Sequence, residues 1–104
     1  MSNSISPTHP GKILLEGIED YGLNVKRVAQ AIQMPASTLY AVTKGQRPIS
    51  PELALKLAKY FETTPEYWVN LQSDYELRLA KIKVSDSLKE IPVFNCGVNR
   101  DGFT

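Results

Sequence analysis

The sequence predicts an all-α domain of five helices followed by a short C-terminal tail. Between residues 10 and 82 the apolar residues recur at helical spacing, and residues typical of helix starts and stops separate these repeats. A chain of 104 residues suffices for one domain with a modest core. We therefore expect an N-terminal arm over residues 1–8, a helical domain over 9–82 and a tail over 83–104.

The first two helices are predicted from apolar repeats with recognisable ends. Pro10 fits a first helical turn, and Gly22 supplies a left-handed stop. The apolar repeat between them consists of Leu14, Ile18 and Tyr21. Asn24 is a suitable N-cap for a short second helix. The apolar stripe of that helix consists of Val25, Val28, Ala29 and Ile32.

A third helix is predicted immediately after the second. Only Gln33 and Met34 separate the second helix from Pro35, which fits the first position of a helix ending at Gly45. Its inward-facing residues are predicted to be Leu39 and Val42. Two short helices with so brief a connection must cross steeply, which exposes the start of the second one, as in a helix-turn-helix.

The fourth and fifth helices are predicted to begin with the same three-residue pattern. Ser50–Glu52 and Thr64–Glu66 each provide a capping hydroxyl, a proline and an acid near the positive end of a helix. The predicted apolar stripe of the fourth helix is Leu53, Ala54, Leu57, Ala58 and Phe61. That of the fifth is Trp68, Leu71, Tyr75, Leu79 and Ile82.

The pattern changes in the tail over residues 83–104. The polar run Ser85–Ser87 interrupts the apolar repeat, and Ser87 with Glu90 matches a capping box. Strand-forming residues dominate the segment Ile91–Val98. The sequence leaves three alternatives for this tail: a disordered segment, a short strand, or an arm that binds a partner.

Composition excludes several classes of function. No apolar run approaches the roughly 20 residues that a membrane-spanning helix needs, and no signal peptide is evident, so we expect a cytoplasmic protein without membrane association. Cys96 and His9 are the single cysteine and the single histidine, which excludes an internal disulfide and a Cys/His zinc cluster. We therefore expect no cofactor, no metal and no catalysis by histidine or thiol. The acids Glu16, Glu19 and Asp20 are interpreted as the solvent-facing charge of one helix, so we expect no enzymatic activity.

Charge is distributed unevenly, although the formal net charge is +1. Residues 24–59 carry six basic side chains against Glu52 alone, a net charge of +5, whereas residues 1–23 and 60–82 each carry −2. This concentration of positive charge indicates an anionic partner that meets one face of the protein. A solvated lysine-rich surface is the alternative explanation.

The predicted helix-turn-helix makes double-stranded DNA the expected anionic partner. The side chains predicted to contact bases are small or hydrogen-bonding and lie on the third helix: Ala36, Ser37, Thr38, Tyr40 and Ala41. The side chains predicted to contact phosphates are cationic or polar and flank that helix in sequence: Lys26, Arg27, Lys44, Gln46 and Arg47. The alternatives are local backbone hydrogen bonding for Ser37, packing for Tyr40 and solubilising charge for Lys44 and Arg47.

A homodimer is expected because one short recognition helix contacts only a few base pairs, whereas a dimer presents two helices one DNA turn apart. The long aromatic fifth helix is the expected contact surface, since the basic helices must stay free. The predicted interface residues are Trp68, Leu71 and Tyr75. Core packing is the alternative for Trp68, and His9 is interpreted as a helix-start or loop residue.

Three segments carry a family resemblance that covers about residues 9–82. Asn24–Gly45 is similar to the helix-turn-helix of the phage-repressor-like regulators of the XRE class. His9–Gly11 and, more specifically, Thr64–Gln72 resemble HigA/VapI-type antitoxins. The resemblance implies a five-helix, lambda-repressor-like, DNA-binding dimer that neutralises a RelE-like ribonuclease toxin of the HigB type and represses their shared operon.

Two positions depart from that family pattern. Gln33 occupies the turn where glycine is common, and glutamine tolerates a left-handed backbone less well. Ala41 stands near where an arginine often lies, which argues against strong guanine recognition. The sequence leaves two alternatives for the toxin-binding surface: the N-terminal arm with the first helix, or the tail. Two alternative functions are a stand-alone phage-type regulator and a protein-interaction module with weak DNA binding.

Overall fold

The computed structural model describes residues 7–94, and this range contains five helices and no strand, as predicted. In chain order the helices are α1 (Pro10–Asp20), α2 (Val25–Ala31), α3 (Ala36–Thr43), α4 (Pro51–Phe61) and α5 (Pro65–Leu88). Most of the predicted N-terminal arm, Cys96 and the second half of the strand-forming run lie outside the described residues. Within the described range, no helix is both long enough and apolar enough to cross a membrane.

The helix starts follow the predicted capping pattern with one correction. Asn24, Ser50 and Thr64 each accept a hydrogen bond from a backbone N–H in the first turn of α2, α4 and α5. His9 does the same for α1. Pro35 is the N-cap of α3 instead of its first helical residue, because its ψ of 136° is extended although its φ of −64° suits a helix.

Four of the described helices end in a left-handed turn; at the end of α4 the left-handed residue is Glu62, with a φ of 59°. Gly22, Gln33 and Gly45 follow α1, α2 and α3 with φ values of 72°, 63° and 79°. In the turn between α2 and α3, the Met34 N–H donates to the carbonyl oxygen of Ala29 at 3.0 Å, as in a Schellman motif. Gln33 therefore occupies the position where the family pattern has glycine, and it adopts the conformation for which glycine is favoured.

Replacing Gln33 by glycine is expected to stabilise the protein by about 0.5–1 kcal/mol. The left-handed conformation costs a residue with a side chain about 1–2 kcal/mol, and the greater freedom of glycine in the unfolded chain offsets part of the gain. Lys56 Nζ donates to the Gln33 carbonyl oxygen at 3.1 Å, a backbone contact that the substitution leaves in place. Urea denaturation would measure the change, and a loss of stability would contradict the prediction.

The core contains side chains from all five helices and anchors α3 as predicted. The largest fully buried apolar side chains are Leu14, Ile18, Leu39, Leu57, Val28 and Val42. Leu39 and Val42 are only 0% and 1% exposed. One face of α3 is therefore buried, and its opposite face is available to solvent.

Gln72 is a buried polar residue that links α5 to the loop between α3 and α4. Its Oε1 accepts a hydrogen bond from the backbone N–H of buried Ile49 at 2.8 Å, and its Nε2 donates to Glu76 Oε2 at 3.0 Å. Leaving a buried N–H without a partner costs about 1–3 kcal/mol. The glutamine therefore fixes the loop that follows α3.

The predicted apolar stripe of α5 is only partly correct. Trp68 is buried, and Leu71 and Tyr75 are half-buried. Leu79 and Ile82 are instead 41% and 58% exposed. The reason is geometric: a helix of 24 residues is about 36 Å long, so its second half runs past the elements that could bury it.

The predicted change of structure near residue 83 is wrong for the described part of the tail. α5 continues through Ser85–Ser87 to Leu88. Ser87 does not cap a new helix, because its Oγ donates to the carbonyl oxygen of Val84 within α5 at 3.2 Å. A serine that bonds back to the preceding turn is compatible with a helix interior. Residues 91–94 form no strand.

Candidate nucleic-acid interface

The exposed face of α3 depends on how closely α1 packs against its C-terminal end. Gly11, in the first turn of α1, is buried against α3, and a Cβ built there would lie 1.9 Å from the carbonyl oxygen of Val42. Only glycine allows this approach without moving backbone. With Leu39 and Val42 inserted into the core, α3 is held from one side and open on the other.

All ten residues that we predicted to contact DNA are accessible to solvent. The exposed ones are Lys26, Arg27, Ser37, Tyr40, Lys44, Gln46 and Arg47. The half-buried ones are Ala36, Thr38 and Ala41. Ala36 is half-buried because it packs against the hydrophobic core. The small side chains of Thr38 and Ala41 allow a ligand on this surface to approach the α3 backbone closely. We call these ten residues the α3 surface.

The N-terminal end of α3 carries no side-chain cap, unlike the other four described helices. Pro35, its N-cap residue, has no hydrogen-bonding side chain, and only the N–H groups of Thr38 and Leu39 bond back to its carbonyl oxygen. The first N–H groups of a helix can bond to a ligand when no side chain caps them, and the helix dipole favours an anionic one.

The cationic side of the α3 surface is built around the end of the helix. Lys44 Nζ lies 6.0 Å from the centre of the Tyr40 ring, at the outer limit of a cation–π contact. Gln46 and Arg47 lie on the loop that Gln72 fixes through Ile49. This supporting role of Gln72 was missed in the sequence, although the residue lies four positions after Trp68 and therefore on the same helix face.

His9 connects three elements beside the α3 surface. Its Nδ1 accepts a hydrogen bond from the Gly11 N–H at 2.8 Å, and its ring packs edge-on against Tyr75 with centroids 4.9 Å apart. It also lies next to Gly45 at the end of α3. The expectation that His9 is a helix-start residue is confirmed, and the ring joins α1, α5 and the end of α3.

Stability is expected to fall when the pH is lowered from 7.5 to 5.5. Burial lowers the pKa of His9 below its ordinary value of 6.5, so the native state binds a proton less readily than the unfolded chain. The contribution of His9 is therefore present above about pH 6.5 and is lost progressively below it. Urea denaturation at both pH values checks this, with His9→Asn as the non-titrating control that can still cap α1. An equal pH effect in both proteins would contradict the prediction.

The residues predicted at a dimer interface have different surroundings within one chain. Trp68 is 6% exposed, and its Nε1 donates to Thr63 Oγ1 at 2.8 Å, so the core packing considered for it is what the structure shows. Tyr75 packs against His9 and stays half-buried, as does Leu71. Trp68 thus offers almost no surface that a second copy would cover.

Comparison with known proteins agrees with this architecture. The Helix-turn-helix family model matches residues 15–68. Virulence-associated protein A of Dichelobacter nodosus is 34% identical over 93 residues, covering 88% of this chain and 91% of that protein. The structure of an addiction module antidote protein of a HigA family from Coxiella burnetii matches with a TM-score of 0.82 and 35% identity, covering 86% of this chain and 100% of that one.

A second solved structure adds a nucleic acid to the comparison. The Pseudomonas aeruginosa antitoxin HigA, solved with the higBA promoter, matches with a TM-score of 0.78 and 32% identity, covering 84% of this chain and 96% of that one. Sequence and structure therefore lead to the same family. This chain belongs to the XRE-type helix-turn-helix proteins and, among them, to the HigA/VapI-type antitoxins.

Proposed function

We propose that this protein is an antitoxin that represses its own operon by binding DNA through the α3 surface and that also neutralises a RelE-like ribonuclease toxin. The observation that carries the DNA-binding role is an accessible helix that has an uncapped N-terminal end and is flanked in sequence by exposed cations. Ala36, Ser37, Thr38, Tyr40 and Ala41 contact base edges in the major groove in this proposal. The flanking residues contact phosphates and set the register on the duplex.

The related proteins support both halves of the proposal. The P. aeruginosa HigA antitoxin is described with its promoter, which supports operator binding. The C. burnetii relative is described as an addiction module antidote, which supports a toxin as the second partner. Repression follows from occlusion, because a dimer that covers an inverted repeat at a promoter competes with polymerase for that site.

The proposed repressor acts as a homodimer through α5. Beyond the core, α5 exposes apolar side chains at Leu77, Leu79 and Ile82, which are 55%, 41% and 58% exposed. Together with half-buried Leu71 and Tyr75 they provide apolar surface on a helix that carries none of the α3 surface. Sedimentation that finds only monomer at tens of micromolar would contradict the dimer.

Alanine substitution of Ser37 and of Tyr40 is expected to weaken operator binding about tenfold each. A lost base contact costs about 1–3 kcal/mol, and about 1.4 kcal/mol corresponds to a factor of ten. Gel shifts with the protein's own promoter measure the change, and binding to an unrelated duplex should stay the same. Ser73→Ala, at an exposed serine of α5, is the matched control. Wild-type operator binding by both variants would refute the proposed base-reading residues.

The toxin is tested separately from the operator. A toxin gene is expected beside this one, so we would express the neighbouring reading frame with and without this protein. Growth arrest by the neighbour alone, relieved by co-expression, would support the antitoxin role. A neighbour without toxicity, combined with specific operator binding, would instead indicate a stand-alone regulator.

A further inference from the structure

Two adjoining cavities lie where α1, the end of α4 and the start of α5 meet. The first has a volume of about 310 Å³ and the second about 460 Å³, and both are lined by Tyr21 and Phe61. None of the ten residues of the α3 surface lines either cavity. We call the shared surface the acidic–aromatic groove and define it by Glu16, Asp20, Tyr21, Phe61, Tyr67 and Trp68.

Aromatic rings form a continuous wall of this groove. Tyr21 stacks on Phe61 with centroids 5.7 Å apart, Phe61 lies 6.4 Å from Trp68, and the Tyr67 ring packs edge-on against Trp68 at 4.9 Å. Tyr21 is nevertheless 69% exposed and Tyr67 46% exposed. Two large aromatic side chains therefore contribute to a surface that the described residues leave uncovered.

The polar lining of the groove has one sign of charge. Glu16 and Asp20 line the first cavity and Glu62 lines the second, whereas no lysine or arginine lines either one. The fold thus brings together the acidic segments 1–23 and 60–82, which the basic segment separates in sequence. Carboxylates beside the negative faces of aromatic rings are complementary to a cation. A guanidinium fits best, because its plane can stack on a ring while its N–H groups donate two hydrogen bonds to a carboxylate.

We propose that the acidic–aromatic groove binds an arginine-bearing segment of a basic protein partner. This step rests on the proposed function, in which that partner is the toxin. Charge argues against the other occupants: nucleic acid and anionic membranes are repelled by the carboxylates, and a second copy placed groove to groove would bring like charges together. Because none of the ten residues of the α3 surface lines the groove, the partner and the operator contact different residues of this protein.

The groove contains its own spectroscopic probe, since Trp68 is the single tryptophan of the chain. We would titrate the full-length protein with a nonapeptide of arginines and follow the fluorescence of Trp68. A saturable change is expected with this peptide and none with the same peptide made of citrulline, which keeps the shape but lacks the charge. Absence of a saturable change with the arginine peptide would overturn the proposal. Spermine is titrated in the same way, and binding as tight as that of the peptide would indicate a small cation instead of a protein partner.

Charge-removing variants locate the binding. Glu16→Gln combined with Asp20→Asn is expected to weaken binding of the arginine peptide at least tenfold. The matched control is Asp86→Asn combined with Glu90→Gln, which removes the same charge from exposed residues near the end of α5. Asp86 lies about 27 Å along the helix from Trp68. The peptide affinity of this control should stay within twofold of the wild-type value. Equal weakening in the two double variants would show diffuse attraction and overturn the site.

The growth assay separates this inference from the proposed function. Wild type and the control variant should relieve arrest by the neighbouring toxin, whereas the groove variant should not, although it binds the operator normally. Relief by all three proteins would refute the groove as the toxin site and leave the antitoxin role intact. Failure of the wild type to relieve arrest would contradict the proposed function, and the peptide titration would then decide the groove alone.

Discussion

Replacement of Gly11 by alanine is expected to destabilise the protein by about 3 kcal/mol, although alanine is the better helix former. The new Cβ would lie 1.9 Å from the carbonyl oxygen of Val42 and 2.8 Å from its carbonyl carbon. Both are backbone atoms of α3, so the clash is relieved only when α1 and α3 move apart. Urea denaturation followed by circular dichroism measures the loss.

Gly17 provides the matched control in the same helix. A Cβ built at Gly17 meets nothing within 4 Å. Gly17→Ala is therefore expected to stabilise the protein by about 0.5–1 kcal/mol, because alanine loses less backbone freedom on folding. The two substitutions make the same chemical change and should have opposite signs. Equal stabilities would show that α1 does not hold α3 through a close backbone contact.

Removing Lys44 and Arg47 together is expected to weaken operator binding by a factor on the order of 10³ at 0.1 M salt. The slope of log affinity against log salt is negative, and each lost phosphate contact reduces its magnitude by about 0.9. The loss of four contacts in a dimer therefore reduces it by about 3–4. The variant is Lys44→Gln with Arg47→Gln, which removes both positive charges and keeps polar, unbranched side chains. Gel shifts or fluorescence anisotropy at several salt concentrations give the slope.

A second double variant controls for overall charge. Lys83→Gln with Lys89→Gln removes the same charge from exposed positions on and after α5 that do not belong to the α3 surface. We expect its salt slope to stay within about 1 of the wild-type value. If the two double variants shift the slope equally, the phosphate contacts do not lie where we propose.

Helix starts were predictable because capping is a local interaction. Asn24, Ser50 and Thr64 bond to N–H groups three residues ahead of them, and this distance is readable in the sequence. The stop at Gly22 was predictable for the same reason, since its left-handed φ is a property of one residue. Pro35 was misplaced by one position because proline has the same φ at an N-cap and at a first helical residue.

The α3 surface was also predictable in part. Once Leu39 and Val42 are assigned to the core, helical spacing leaves Ser37, Tyr40 and Lys44 toward solvent, and all three are exposed. The sequence did not indicate that Gly11 sets the distance between α1 and α3. That role depends on a carbonyl oxygen more than thirty positions away in the chain.

The acidic–aromatic groove shows the limit of the same approach. In the sequence, Glu16 and Asp20 belong to the acidic segment 1–23, and Trp68 belongs to the predicted apolar stripe of the fifth helix. Their proximity arises only when α1 packs beside the start of α5. Burial of Gln72 and exposure of Leu79 and Ile82 likewise depend on where neighbouring elements end.

The amino-acid sequence alone determined the order of the helices, their caps, their inner faces and the cationic helix-turn-helix. These features depend on residues within a turn or two of each other, where the chain itself imposes the geometry. Tertiary packing decided how closely α1 meets α3, which part of α5 is buried and which distant carboxylates share a groove. Such contacts join residues whose separation along the chain sets no distance in space, so they exist only after the helices have docked.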